Sequence, residues 1–595
     1  MLRATLLNQV WRQPRPRAIV LVCLWLLVAG LLAWLPVTHP EFGVRGDLSL
    51  HYHILRAYAL SVAEGNWLPR WAGVLDGGHG DALFTFYPPL AYLISALWQK
   101  LFGLDLLTAL KYTTALSLFG AQASAYFMAR AFFERGVSLL FALVYVTFPA
   151  LPFLGLNRCF FANAVALSFV PVALRGAYEL LLGKRLRLGL SAFALGLSGV
   201  LLSHVITTYL CGIAIALLAL VCWPQAGWRG VLRLAAGGGV VLALTAFFLA
   251  PQLLEFSWVH AELQTLKQDY HNYLLFAAPT DAGKYRQDWA VLNGLASAAT
   301  LAQICLALLC LLACWPLLFK NERAALLLRF GLVLDVFLLV ISLPYTTFVW
   351  RVLPGLPFIQ FPWRFAPFGS LACGLIIAVA RTDGLIYWRA QPPLLRAGVA
   401  FCLTLTVLVI GGLTWACLQG PVPKMTTEQT VQFLNAGDGG KLSMEASARV
   451  MADGLAGIKA LSSDQPYFRP HAAELDNYPP VQQPGGLSIL AGQARLISQR
   501  LGNEQREFVL DGAEPVRARF ETYAYPHWII RLDGQEIQPQ VEAGTGLMLL
   551  AVPAGRHTVS ARYESRLWPE RAARWLSVFA WVGFCGWLLW LMAKR

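Results

Sequence analysis

Charge is scarce in this chain. Asp, Glu, Lys and Arg supply 13% of the 595 residues against 57% hydrophobic ones, and the mean hydropathy is +0.55. That balance excludes a soluble globular protein of ordinary composition. Cysteine is missing from the long polar segment 419–570. Ten of the eleven cysteines lie in or beside apolar runs, and the last, Cys159, lies in a short loop, so neither a disulfide framework nor a cysteine zinc site is indicated. There is no tandem repeat and no low-complexity tract. The glycine-rich "DGGHGD", 76–81, fits neither a P-loop nor a dinucleotide fingerprint. A clear small-x-small cleavage site is also lacking after the first apolar run, Ala18 to Val37, although Arg3, Arg12, Arg15 and Arg17 precede it. That run reads as an uncleaved anchor.

What the chain does have is apolar runs long enough to cross a hydrocarbon core, which takes about 20 helical residues. The candidate spans are 18–37, 106–129, 136–153, 164–181, 188–204, 206–223, 231–253, 295–319, 324–343, 365–381, 397–418 and 573–592. The formal charge of +14 is spread in short clusters between these runs, which reads as membrane topology rather than nucleic-acid binding. One further run, "YPPLAYLISALWQKLFG", 87–103, decides the sidedness. If it does not cross, Arg130/Arg135, Lys184/Arg185/Arg187, Arg229/Arg233, Lys320/Arg323, Arg381/Arg389/Arg396 and Lys594/Arg595 all fall on the side of the basic N-terminus, as the positive-inside rule asks. The expectation is therefore a mainly α, polytopic helix bundle of about 12 spans. In it 87–103 lies along the outer surface, started by Pro88 and Pro89, and both termini are cytoplasmic.

This topology makes 1–418 a transmembrane domain with a first outer loop at 38–105, 419–570 an outer domain, and 571–595 the last span and tail. In the outer domain "REFVLDG", "VRARFETY", "HWIIRLDG" and "GLMLLAVPAG" alternate with strand period and carry Asp-Gly and Ala-Gly turn signals. A small β-sandwich is expected there.

The first outer loop opens with "RGDLSLHYHI", 45–54. Leu48, Tyr52, Leu55, Ala59 and Val62 recur at helical spacing and Gly65 is placed as a stop, so 48–64 reads as an amphipathic helix. Asp47 and His51, four apart, share one face near its N-terminus, where the dipole favours anions. An acid and an imidazole beside the membrane can take a proton or hold a divalent cation; Asp is equally a favoured N-cap. His51 and His53 point to different faces, which argues against a shared metal. Glu64, Asp76, His79 and Asp81 are further polar residues of the loop.

"GDLSLHYHI" followed by "EGNWLPRWAGVLDGGHGDALFTFYPPLAYLISAL" resembles the opening of bacterial membrane proteins of the GT-C glycosyltransferase superfamily. The nearest likeness is to the branch labelled 6-pyruvoyl-tetrahydropterin-synthase-related and to the YfhO-like proteins. "FIQFPWRF", 358–365, resembles a Q-F-P-W-R segment of the same proteins. "YAYPHWIIRLDGQEI" with "VPAGRHTVSARY" resembles the outer β-domain motif of the YfhO-like group, with His527 where glycine is usual. A soluble pterin-synthase core is incompatible with so many spans. The resemblance implies a GT-C-like fold and transfer of a sugar from a polyprenyl-phosphate donor to an envelope glycan, lipid or protein acceptor at the outer face of the inner membrane. It carries Asp47 over as the catalytic acid of the first loop.

Such a reaction needs a base for the acceptor hydroxyl, donors for the phosphate and a groove for the lipid tail. Asp47, with His51 beside it, suits the first. For the phosphate the candidates are Arg364, which equally fits an interfacial belt with Trp363, His204 in "LLSHVITTY", Arg70 and Arg158. The metal, if one serves, is undetermined; carboxylate and imidazole suit Mn²⁺ or Zn²⁺ better than Mg²⁺. Asp335, inside span 324–343, is expected to face the bundle interior. Two other functions compete. One is a transporter or flippase of a lipid-linked glycan, whose buried ionisable groups should gather near the midplane; the other is a non-catalytic envelope-assembly protein.

Overall fold

Helix covers most of each candidate span in the computed structural model, which describes residues 14–38, 47–75, 78–148, 161–256, 270–274, 286–320, 323–359, 361–389, 391–419, 485–542 and 547–593. The principal helices are α1 (Pro14–Thr38), α2 (Leu48–Ala63), α3 (Leu90–Phe102), α4 (Leu106–Ala129), α5 (Arg135–Thr147), α6 (Phe161–Leu182) and α7 (Leu186–Leu201). They continue with α8 (Val205–Glu255), α9 (Arg286–Cys314), α10 (Arg323–Ser342), α11 (Ala366–Val379), α12 (Pro393–Gln419) and α13 (Trp568–Ala593). Among the described residues five helices are long and apolar enough to cross a membrane, so the chain is a multi-pass, mostly helical membrane protein. The runs 206–223 and 231–253 are joined in α8 across a break at Gly227 (φ 51°, ψ −163°). Helix α5 ends at Thr147, short of the expected 153, with Phe148 in extended conformation; 149–153 lie outside the described residues.

The chain forms two compact units: Met1–Leu48, Lys111–Val241 and Gln268–Lys424 make one, and Ser49–Leu110, Leu242–Lys267 and Met425–Arg595 the other. In the first, lipid-soluble helices must hold together by close packing, because lipid tails are as apolar as the side chains they would replace. Helices α6 and α7 do so through Gly176 and Gly196, where an added Cβ would run into the backbone of Phe193 and of Ala173. A polar tie joins α4 to α1, Gln122 Nε2 donating to the Trp25 carbonyl at 3.1 Å.

The second unit contains the expected β-sandwich. Its strands are β1 (Leu487–Ala491), β2 (Ala494–Leu501), β3 (Gln505–Gly512), β4 (Val516–Tyr523), β5 (Trp528–Leu532), β6 (Gln535–Ile537), β7 (Gln540–Val541), β8 (Leu547–Val552) and β9 (Gly555–Tyr563). They form two antiparallel sheets in the orders β1-β4-β8-β7 and β2-β3-β9-β5-β6. The two-residue alternation of β3 puts Phe508 and Leu510 inside, against Phe520, Trp528, Leu550 and Val559. Asp533 (φ 50°) and Gly534 (φ 83°) make the tight turn of the β5–β6 hairpin, as an Asp-Gly pair favours.

Helix α2 stops where Gly65 takes φ +92°. It departs from the amphipathic expectation: only a strip through Leu50, His53, Arg56, Leu60 and Ala63 reaches solvent to any extent, and the rest of its circumference is covered. Helix α3 runs for 13 residues from an N-cap at Pro89 to Gly103 in left-handed conformation. It packs on α2 through a 2.6 Å bond between Tyr92 Oη and His51 Nδ1, and through Lys100 Nζ, which donates to the Val62 carbonyl. Helix α13 leaves Trp575, Phe579, Val582 and Leu589 exposed, the surface a lipid-facing span presents.

Candidate functional site

Asp47 occupies the half-exposed turn immediately before α2. His51, one turn on, is buried. Burial drives its pKa from 6.5 down to about 3, so it is neutral at physiological pH and serves the hydrogen bond to Tyr92. His53 lies on the other side of the helix; burial and then Arg56 lower its pKa to about 4.

Downstream of α2, "GNWLPRWAG" is gripped by the β2–β3 turn. The Glu504 carboxylate accepts from Asn66 Nδ2 at 2.6 Å, from the Arg70 amide at 2.6 Å and from the Trp71 amide at 3.0 Å. Desolvation raises the Glu504 pKa against the pull of those donors. Asn503 accepts from the Gly73 amide at 2.7 Å and donates to the Ala57 carbonyl of α2 at 3.1 Å, while Glu64 holds the Asn503 amide. Trp71, 1% exposed, belongs to the sandwich core, with ring centroids 5.5 Å from Trp528 and 5.3 Å from Tyr563. Gly80, at φ +83°, lies flat on the Trp71 indole, where a Cβ would collide with the ring. His79 is buried in the same place; its carbonyl accepts from the Tyr523 amide at 3.1 Å and its ring lies 3.8 Å from Glu521.

Arg70 points inward, into a buried polar centre. Its guanidinium pairs with both Glu255 and Glu570, and its Nε donates to Thr85 Oγ1 at 3.3 Å. Glu255 also accepts from the Tyr525 hydroxyl. His527 Nε2 stands 3.2 Å from Glu255 Oε1 and 3.7 Å from Glu570 Oε1. Burial lowers the His527 pKa, opposed by its contact with Glu570; burial is also the first cause raising the Tyr525 hydroxyl well above its usual value. Glu255, His527 and Glu570 are all buried, and their nearest donor atoms lie within 4.8 Å of one another, so this group is a candidate for a divalent cation. Two contacts bring α8 and α13 together beneath it: Ser577 Oγ donates to the Ala243 carbonyl at 2.9 Å and Trp581 Nε1 to the Leu244 carbonyl at 3.0 Å.

The remaining predicted residues sit in the first unit or outside the described residues. Arg364 lies on the short turn Pro362–Phe365 before α11, donates to the Ile359 carbonyl at 2.8 Å and stacks on Phe361 with 4.9 Å from guanidinium to ring centroid. His204 caps α8: its Nδ1 accepts from the Thr207 amide at 3.2 Å and meets Thr207 Oγ1 at 2.8 Å, and Asn163 donates to the same hydroxyl at 2.7 Å. His204→Ala is therefore expected to cost about 1 kcal/mol of stability and His204→Asn much less, read as thermal unfolding of the full-length protein in detergent. Arg158 and Asp76 fall outside the described residues. Asp335 of α10 is 4% exposed; it lines a small cavity with Gln303, Ser342, Phe365 and Gly369, and neither of its carboxylate oxygens has a hydrogen-bond partner among the described residues.

Sequence reasoning picked out Arg70 but not the carboxylates it serves, nor Tyr525 and Glu504. One signal was available. Glu255 ends α8, where the helix dipole disfavours an anion, and Glu570 opens α13, so each acid borders an apolar run. His527 was marked only as a departure from glycine.

No curated protein sequence matches the chain. Among solved structures, the arabinofuranosyltransferase AftD from Mycobacteria is 15% identical, with a TM-score of 0.38 over 69% of this chain and 27% of that one; a variant of it gives a TM-score of 0.41 over 69% and 28%. This chain thus spans about a quarter of the length of those relatives. ArnT from Cupriavidus metallidurans, solved with undecaprenyl phosphate, is 14% identical with a TM-score of 0.36, over 74% of this chain and 79% of that one. Residues 84–417, more than half of the sequence, match the model of one family, and the chain belongs to it: the membrane proteins described as 6-pyruvoyl-tetrahydropterin synthase related.

Proposed function

We propose that this protein is a glycosyltransferase of the bacterial inner membrane that moves a sugar from a polyprenyl-phosphate donor to an envelope acceptor at the outer face. The observation that carries the reading is the position of Asp47. It is a half-exposed carboxylate in the turn that starts α2, just after the first apolar helix, where a headgroup-level phosphodiester would present its anomeric carbon. In the proposed step the acceptor hydroxyl gives its proton to Asp47 as its oxygen attacks that carbon. The bond from the carbon to the phosphate oxygen breaks, polyprenyl phosphate leaves, and the anomeric configuration inverts. Arg364, already oriented by Ile359 and Phe361, is the proposed phosphate donor group. His51 is neutral and holds α2 against α3 behind the acid. Transfer of radiolabelled sugar from polyprenyl phosphate to extracted envelope acceptors by the purified protein in proteoliposomes tests the reading, and absence of transfer with every donor would refute it.

The reading requires α3 to rest on the outer surface. Support comes from its length, about 20 Å against a hydrocarbon core of about 30 Å, and from its seat on α2. A cysteine introduced at Lys184 is expected to react with impermeant maleimide only from the cytoplasmic side. Labelling from the periplasm would invert the topology.

Asp335 favours a second reading, movement of a lipid-linked glycan or ion, because an acid inside a bundle with no hydrogen-bonded partner among the described residues is a natural proton carrier. Asp335→Asn separates the two: it leaves sugar transfer intact in the first and stops translocation in the second.

A further inference from the structure

We propose that Glu255, His527 and Glu570 bind one divalent transition-metal ion, of the Zn²⁺ type, that fastens the β-sandwich to the ends of α8 and α13. This stands apart from the transfer reaction, and either proposal survives the failure of the other. The argument begins with how each carboxylate is held. Glu570 uses Oε2 for Arg70, and its Oε1 has no hydrogen-bond partner among the described residues although the residue is fully buried. Glu255 uses Oε2 for the Tyr525 hydroxyl, and its Oε1 accepts from Arg70. The two Oε1 atoms converge on His527 Nε2, at 3.2 and 3.7 Å. The longer separation exceeds a hydrogen bond. Both suit ligands of one tetrahedral ion, for which metal–ligand bonds of about 2.0–2.2 Å put neighbouring donor atoms about 3.3–3.5 Å apart.

Charge supports the same conclusion. Three carboxylates, Glu255, Glu504 and Glu570, face two guanidiniums, Arg70 and Arg574, which leaves a net negative charge where solvent is scarce, a costly arrangement without further compensation. A divalent ion supplies it. Two oxygens and an imidazole nitrogen are a donor set for Zn²⁺ or Mn²⁺ rather than Mg²⁺. Tyr525 on Glu255 and Arg70 on both carboxylates then play the part that outer hydrogen bonds play in metal sites, with Arg70 and the ion sharing the two lone pairs of Glu255 Oε1. The burial of all three ligands, at 0–2% exposure, makes the role structural.

The test uses full-length protein in detergent, stripped with a chelator and dialysed against micromolar Zn²⁺. One Zn²⁺ per chain is expected by mass spectrometry, with a raised unfolding midpoint. His527→Gln and Glu570→Gln should each weaken binding by at least about tenfold, while His557→Gln, on the sandwich surface, should not. Stoichiometry equal in wild type and His527→Gln would overturn the proposal. So that nothing depends on the folding of a variant, X-ray absorption of the Co²⁺-loaded wild type is measured too. Four-coordinate cobalt with nitrogen and oxygen donors is expected, and a six-coordinate hydrated ion would equally refute the site.

Discussion

Asp47→Asn is expected to lower the rate of sugar transfer by about 10²–10⁴-fold, the contribution of a positioned general base, with little change in the KM for the lipid donor. Asn is the informative replacement because it rivals Asp as a residue in the turn that starts a helix. If Asp47 only caps α2, Asn preserves both structure and rate. If it accepts the acceptor proton, the amide cannot, and kcat falls while the unfolding midpoint stays put. His51→Gln gives the complementary result. A neutral imidazole already committed to Tyr92 contributes packing, so this variant should lose stability and retain most of its kcat. A His51 variant as inactive as Asp47→Asn, with its fold intact, would move the proton transfer onto the pair.

The contrast between those two residues shows where sequence reasoning reaches and where it stops. Helices over the apolar runs and strands in "REFVLDG" or "VRARFETY" follow from local period and length, which are properties of adjacent residues. Gly65 as the stop of α2 is equally local. The cover over α2 is not: it comes from Asn503, far along the chain, reaching Ala57, and from α3 through Tyr92, so a helix with the pattern of a surface element is enclosed on most sides. Distance in sequence also hid the polar centre, since Arg70, Glu255, His527 and Glu570 meet only once the sandwich has folded onto the loop that carries Arg70. A local-rule violation, an acid at the C-terminal end of α8, was the trace it left. The GT-C resemblance drew attention to "GNWLPRW" as a motif, but the side chains in it divide between two jobs that no spacing reveals.

Two tryptophans of that motif make the division measurable. Trp71→Ala is expected to destabilise the protein by about 3–5 kcal/mol, the range for truncating a buried aromatic side chain. Trp67→Ala should cost less than about 1 kcal/mol. Trp71 is 1% exposed among Trp528, Tyr525 and Tyr563, with Gly80 closing over its face, so its removal opens a cavity in the sandwich core that the surrounding strands cannot collapse to fill. Trp67 is 40% exposed and offers its ring to Lys100 at 4.6 Å, while its structural contact, the carbonyl that accepts from the Tyr58 hydroxyl, belongs to the backbone and survives the substitution. The loss at Trp71 should appear as faster proteolysis within 485–563 in the full-length protein, because the loop and the sandwich share one core. Equal stability of the two variants would mean that the sandwich is complete without the loop, and that Glu504 and Asn503 hold a segment on which its fold does not depend.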